Sequence, residues 1–545
     1  MANYIPLILS VFPIVLLIFL MVKKNAMPSY HALPLIAGLV FLIQWLYFGT
    51  PFAQLSAHSL GGLIDTLTPI TVIFGAIFFN RMMEETGCID NIRRWLSNIN
   101  PNPVAQLMIV GWAFAFMIEG ASGFGTPAAI AAPILVGLGF KPMQVAVFAL
   151  IMNSVPVSFG AVGTPTWFGF GPLLKSGALS DAQMLLVGQK TALIHFIAGL
   201  VIPVLALRFI TSWKEIFKNI GFVYISILGC TVPYILLAQF NYEFPSLVAG
   251  AIGLGVSVWA ANHGIGLSKD HGDKGEKLPR SVVLKALMPL GLLMLILIVT
   301  RVKQLGLKDL LNSTEVWIDA AFNMVTAQGP VTILDFQLSK ALIFSFNDIF
   351  AQPGISANYK TLYVPAFIPF VVTVWFALIF FRTSWKRSFT VYTDTLMQTL
   401  KPCLALVGAL IMVRLMMAGG DKSMVKVIGR EFAQLAQGNW IYFSSYLGAI
   451  GAFFSGSNTV SNLTFGSIQY EIAQATQLDP TSVLATQSVG GAMGNMVCIN
   501  NIVAVCSVLN VQNQEGNIIK KTIIPMVLYG LITAAVAYFI FVGNA

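Results

Sequence analysis

The sequence predicts an all-α polytopic membrane protein with about twelve transmembrane helices and two re-entrant hairpins, arranged as an inverted repeat. Three observations predict it: the composition, the spacing of long apolar runs, and two stretches that resemble each other. Of 545 residues, 57% are hydrophobic and 10% charged, with a mean hydropathy of +0.79. Soluble domains carry about 25% charged residues, so this chain has too few to coat a soluble body of its size. A membrane β-barrel would alternate over segments of about ten residues, whereas these runs are continuous and longer. The five Cys are scattered and form neither a disulfide framework nor a metal site.

A span needs roughly 20 residues. Runs of that kind lie at 4–22, 31–49, 63–83, 142–165, 189–208, 219–240, 245–263, 282–301, 361–382, 392–418, 481–510 and 523–543. The first lacks a basic n-region and a small-residue cleavage site, so it reads as a retained span rather than a signal peptide. Two more apolar stretches, 104–140 and 439–478, are interrupted by Gly, Ser and Thr. Basic residues set the orientation. Lys23, Lys24, Arg93, Arg94, Lys141, Arg208, Lys214, Lys218, Lys269, Lys274, Lys277, Arg280, Arg382, Lys386, Arg387, Lys520 and Lys521 all reach the cytoplasmic side on one path. On that path both termini lie outside, twelve spans cross, and each interrupted stretch returns to the face it left. The net charge of +9 is therefore membrane topology rather than nucleic-acid binding. Segment 302–360 falls outside, as a polar loop.

"TLTPITVIFGAIFFNRMM" (66–83) matches "TLKPCLALVGALIMVRLM" (399–416) at an offset of 399 − 66 = 333. Pro69 falls on Pro402, Gly75 on Gly408 and Arg81 on Arg414. "EGASGFGT" (119–126) meets "SGSNTVSN" (455–462), and "NSVPVSFG" (153–160) meets "QSVGGAMG" (487–494). The matched spans run in opposite directions, so the repeat is inverted. The chain divides into a first repeat at 1–208, central connecting helices with a cytoplasmic loop at 209–281, and a second repeat at 282–545.

Inverted repeats with broken helices mark secondary transporters, because non-helical backbone at membrane depth survives only inside protein or against water. Hairpin tips expose helix N-termini that suit an anion. Small residues also permit close helix packing, but two matched breaks favour a binding site. Its candidates are Ser122, Gly123 and Thr126 on one tip, and Ser457, Asn458, Thr459 and Asn462 on the other.

"EGASGFGTPAAIAAPILVGLGFKP" (119–142), "NSVPVSFGAVGTP" (153–165), "SGSNTVSN" (455–462) and "GGAMGN" (490–495) together resemble the L-lactate permease family, over most of the chain. The resemblance implies bacterial uptake of L-lactate, with glycolate and D-lactate as further substrates, by proton symport in the inner (plasma) membrane. The Ser-Asn-Thr at 457–459 is also similar to the tip of elevator-type carboxylate transporters. Family members often place Lys after the second-half "GG..G" and Ser-Pro-Gln soon after. Here Asn495 and Ile499-Asn500-Asn501 stand there, which leaves the exact substrate and coupling ion open.

Glu119 ends an apolar run directly before the tip glycines, where an ionisable group is costly. It is the candidate proton carrier, with helix capping as the alternative. Arg81 and Arg414 could hold a carboxylate bidentately or brace the hairpins, and bracing is favoured. His195 reads as a packed core histidine more than a proton relay. Trp167, Phe168 and Phe170 could wall off a substrate methyl or be interfacial aromatics. A sodium-coupled carboxylate transporter, a channel and an intramembrane enzyme are the competing classes. For the enzyme, G-x-S-x-G fails at Phe124. No nucleotide motif, metal site or cofactor is expected. The partners are a small monocarboxylate, a proton and lipid, with no nucleic acid, and a homodimer stays open.

Overall fold

The computed structural model describes residues 4–22, 27–123, 126–268, 278–301, 305–326, 329–364, 366–511 and 514–542. Lys23, Lys24, Lys269, Lys274 and Lys277 lie outside the described residues, as does the side chain of Thr126. A helix occupies each of the twelve predicted runs. Among the described residues ten helices are long and apolar enough to cross a membrane, eleven if one bent pair counts as a span. That set includes Pro103–Ser122, the first limb of a predicted hairpin, while Ile5–Met21 and Phe367–Phe380 are apolar but shorter.

The chain forms two compact units. The first comprises Met1–Thr86 and Pro289–Glu431. Its long helices, Phe52–Glu85 and Trp385–Met417, start at an offset of 385 − 52 = 333, the offset of the repeat. The helix over the run at 63–83 thus begins at Phe52. At 34 residues it extends about 50 Å at 1.5 Å per residue, well past a hydrocarbon core of about 30 Å. The matched glycines are crossing points. A methyl on Gly75 would touch the Phe370 ring at 2.9 Å, and one on Gly408 would overlap the Leu33–Pro34 backbone. A helix of each repeat therefore packs on the long helix of the other.

The predicted loop 302–360 is instead a short helix, Leu307–Leu311, followed by a four-stranded antiparallel meander: β1 (Val316–Thr326), β2 (Gly329–Ser339), β3 (Ile343–Asn347) and β4 (Ala357–Lys360). Judging the segment by its polarity missed the alternation in "TILDFQLS", a half-buried strand pattern. Ile349, Ile355 and Ala357 bury against Ala57, on the end of Phe52–Glu85 that overshoots the apolar run. Arg414 pairs with Asp65 through Nε (2.9 Å) and Nη2 (2.6 Å) and also donates to the Ser356 carbonyl at 2.8 Å. One guanidinium thus ties both long helices to the sheet.

The second unit comprises Gly87–Met288 and Phe432–Ala545. Both predicted hairpins lie in it. Trp440–Ser455 and Asn458–Ala475 run antiparallel: Ser461 Oγ donates to Gly448 O at 2.7 Å, and Gln469 Nε2 to Ser444 O at 2.8 Å. Pro103–Ser122 turns at Gly123, and Thr126–Gly137 brings Leu135 back beside Gly111. The run at 142–165 is not an intact span. Pro142–Met152 and Val155–Lys175 meet at a 47° bend. The run at 481–510 is broken likewise, into Pro480–Gly494 and Ile499–Val508 with a 3₁₀ turn between. The first break falls within the matched "NSVPVSFG", and the second follows directly after "QSVGGAMG", which is itself helical.

Asp479 caps Pro480–Gly494 through the N–H groups of Thr481 and Ser482, and Lys190 pairs with its carboxylate. Burial pushes the Asp479 carboxyl up, but hydrogen bonds from Lys190, Ser482 and Thr481 outweigh it and hold the group at about 2. A depressed carboxyl stabilises the fold fully above its ordinary pKa of about 4. That stability is lost as pH falls towards 2. The group is half exposed, so Asp479→Ala should cost no more than about 1 kcal/mol at pH 7. Melting curves at pH 7 and pH 3 should show the gap between the two proteins narrowing on acidification.

The hairpins predict an accessibility pattern. In a cysteine-free background, Cys at Arg94 and Lys141 should react with an impermeant reagent from one face of the membrane. Cys at Asn439 and Gln477 should react from the other. A split within either pair would turn that hairpin into a full crossing.

Candidate functional site

Four helix breaks meet inside the second unit. The first tip contributes Glu119 and Gly123, and the first broken span Asn153, Gly160 and Ala161. The second tip contributes Gly456, Ser457, Asn458 and Thr459, and the second broken span Asn495 and Asn501. They enclose a cavity of about 20 Å³, room for one water and too little for a three-carbon acid in this conformation.

The backbone at the breaks is unusual, and side chains compensate for it. Gly123 and Gly456 take positive φ, of 59° and 73°. Ala161 and Val162 are also left-handed, at φ 45° and 56°, which costs about 1–3 kcal/mol for each such residue. Side chains take up the carbonyls this frees: Thr164 Oγ1 donates to Ala161 O at 2.5 Å, Trp167 Nε1 to Val162 O at 2.9 Å, and Asn462 Nδ2 to Pro165 O at 2.9 Å. Ser246 Oγ and Tyr234 Oη hold the Pro156 and Val155 carbonyls.

Among the described residues, no Lys, Arg or His lines the cavity. Its positive potential comes from a helix start. Asn458–Ala475 opens there, with Ser457 at its N-cap accepting from Val460 N, and the first-turn N–H groups carry about half a positive charge. The Glu119 carboxyl is 3% exposed, and Asn153 Nδ2 donates to its Oε2 at 3.2 Å. Asn458 Nδ2 donates to the Ser488 carbonyl at 3.0 Å. Each amide thus spends its N–H₂ on an acceptor. The oxygens Asn153 Oδ1 and Asn458 Oδ1 are left buried without a donor. Such orphans each cost about 1–3 kcal/mol, and a ligand O–H would satisfy one.

Of the predicted site residues, Gly123, Ser457, Asn458 and Thr459 line the cavity with Glu119. Ser122 turns its hydroxyl back to Ile118 O at 3.1 Å. Asn462 lies one turn past Asn458 and clamps the first break. Thr126 starts the returning limb of the first hairpin. Arg81 pairs with Glu84 at 2.9 Å and Arg414 with Asp65, both in the first unit, and neither lines the cavity. Phe170 packs against Gly466 of the second hairpin rather than at the cavity.

Sequence reasoning missed Asn153, Gly160, Asn495 and Asn501. Two signals were available: the matched "NSVPVSFG" and "QSVGGAMG" mark the breaks, and Asn495 and Asn501 stand where the family pattern changes. The glycines of "GGAMG" have a packing cause. A methyl on Gly490 or Gly494 would strike the backbone of Ser445 or Ala449, and one on Gly491 would overlap Asn458 Oδ1.

Residues 6–542 match the L-lactate permease family. The chain belongs to that family. A protein of Haemophilus influenzae is 60% identical to it over 534 residues, 98% of each chain. The L-lactate permease of Bacillus subtilis is 24% identical, over 94% of this chain and 91% of its own. The glycolate permease GlcA of Escherichia coli is 24% identical, over 93% and 91%. The permease is thus a multi-pass plasma-membrane transporter of the L-lactate permease family, and not an enzyme.

Gly491→Ala tests the cavity. The added methyl has to displace the Asn458 carboxamide, whose N–H₂ is already committed to Ser488. A well-folded Gly491→Ala permease should bind L-lactate about tenfold more weakly or worse, for loss of one good hydrogen bond. Unchanged binding by calorimetry would remove Asn458 from the site.

Proposed function

We propose that the permease imports L-lactate, and glycolate with it, by symport with one proton, and that Glu119 carries that proton. The observation that supports this most is a buried carboxyl beside an anion-attracting helix start, with no basic side chain among the cavity residues to balance it. A carboxylate there cannot stay charged next to a bound anion without a large cost. Protonation removes the clash, so anion and proton enter together. Moving an uncompensated lactate anion inward is resisted by about 2.3 kcal/mol per 100 mV, and one accompanying proton cancels that.

In this reading the substrate carboxylate sits at the N-terminus of Asn458–Ala475, where N–H groups replace its water. Asn458 Oδ1, a buried acceptor with no donor, receives the 2-hydroxyl that lactate and glycolate share. A site built to hydrogen-bond a hydroxyl discriminates strongly against analogues without it. Both hairpins and both broken spans belong to one compact unit, which suits an elevator mechanism in which that unit carries the substrate across as a body.

Glu119→Gln keeps the shape and removes the titration. In vesicles with an imposed proton gradient it should abolish accumulation of labelled L-lactate yet retain lactate–lactate exchange. Accumulation by the Gln variant with normal pH dependence would overturn the assignment, and a strict sodium requirement in the native protein would replace the proton.

A further inference from the structure

The Asn458 carboxamide is fixed by a chain of buried groups that starts well away from the cavity. His195, in the helix Asp181–Gly199, is fully buried. Its Nδ1 lies 2.5 Å from Tyr529 Oη and its Nε2 2.8 Å from Ser158 Oγ. Tyr234 packs edge-on against the ring at 6.1 Å, and no charged side chain is recorded in hydrogen-bond contact with it among the described residues. Ser158 Oγ also lies 3.2 Å from the Ser488 carbonyl, 3.0 Å from Ser488 Oγ and 3.4 Å from Asn458 Nδ2.

Counting donors sets the tautomer of the ring. The Tyr529 phenol is buried, and its recorded hydrogen-bond partner is Nδ1. A buried O–H is donated, so Nδ1 is the acceptor and bears no hydrogen. The neutral ring then carries its hydrogen on Nε2 and donates to Ser158. Ser158 in turn spends its own hydrogen on the Ser488 carbonyl and takes the Ser488 Oγ–H on its second lone pair. The reversed tautomer would leave the phenol hydrogen without an acceptor and turn the Ser158 hydrogen away from Ser488. Only the first arrangement gives the Tyr529 phenol an acceptor. It holds the Asn458 N–H₂ on the Ser488 carbonyl at 3.0 Å, which Ser158 anchors, and leaves Oδ1 as the end facing no donor.

We propose that His195 is a positioning residue for substrate recognition: as the neutral Nε2–H tautomer, held by Tyr529, it acts through Ser158 and the Ser488 carbonyl to orient the Asn458 carboxamide and so sets the preference for 2-hydroxy acids. The inference rests on the reading of Asn458 as the acceptor of the substrate hydroxyl. It gives His195 a part in selectivity, and none in moving the proton.

The test compares His195→Leu, Ser158→Ala, His195→Gln and Tyr529→Phe for uptake of L-lactate and of propionate, which lacks the 2-hydroxyl. His195→Leu and Ser158→Ala should each raise the KM for L-lactate about tenfold, with turnover changed less than about twofold, and lower the preference over propionate about tenfold. The Leu–Ala double variant should be little worse than either single one, because both cut the same chain. A Gln side chain offers an N–H donor and a C=O acceptor, so His195→Gln should stay within about threefold of native in KM. Tyr529→Phe removes only the group that sets the tautomer, and should raise KM about threefold. All four should keep the native pH profile. A shifted pH profile in His195→Gln or His195→Leu would make His195 a proton carrier and overturn the proposal. So would equal damage by Gln and Leu, which would mean packing alone. If His195→Leu does not fold, Ser158→Ala and Tyr529→Phe decide, since both nearly conserve volume. Should Asn458→Ala leave KM unchanged, the reading of the substrate site fails. Should it raise KM while His195→Leu and Ser158→Ala leave it unchanged, only the present inference falls.

Discussion

The constraint on which the second unit depends is the need to satisfy backbone hydrogen bonds away from water. An unbroken helix meets it internally. This fold breaks helices at four places in one region, and each break frees N–H and C=O groups that cost several kcal/mol apiece if abandoned in an apolar interior. At the first broken span the sequence answers with polar side chains: Trp167 and Thr164 for the left-handed residues, Ser246 and Tyr234 for the 3₁₀ turn after Ser154, and Asn462 for Pro165. At the cavity, what remains unsatisfied is chiefly two amide oxygens and the positive end of one helix.

Much of this was legible in the sequence, for physical reasons. Spans could be located because bilayer thickness fixes their length, and the hairpins because basic residues cannot change sides mid-chain. Glu119 stood out because an ionisable group in an apolar run is costly. The misses follow from the same reasoning. An apolar run such as 142–165 looks the same whether its helix is continuous or bent at Ser154, because hydropathy does not sense backbone continuity. Asn153 was hidden by its ordinary surroundings, and only its contact with Glu119 distinguishes it. The extramembrane sheet was hidden because its strands alternate, and overall polarity averages alternation away.

Comparison of the two repeats shows where symmetry was kept and where it was given up. The long helices, their prolines and their crossing glycines correspond residue for residue. At the tips Glu119 faces Ser455 across the repeat, and Asn153 faces Gln487. One tip therefore holds an ionisable group gripped by an amide. The other has Gln487 bonded to Ser461, a network of neutral groups. A fold built from two like halves thus carries two chemically unlike tips, one with an ionisable group and one neutral.

The crossings at Gly75 and Gly408 also bear on how the protein is made. Each repeat lends a helix to the long helix of the other, so the first half of the first unit leaves the ribosome with its packing partner not yet synthesised. Phe52–Glu85 must wait in the bilayer, its small-residue seam against lipid, until some three hundred residues later the helix that carries Phe370 arrives. Such an interlock ties assembly of this unit to completion of the chain. Prematurely terminated products would present unmatched glycine seams, a feature by which membrane quality control could tell them from finished permease.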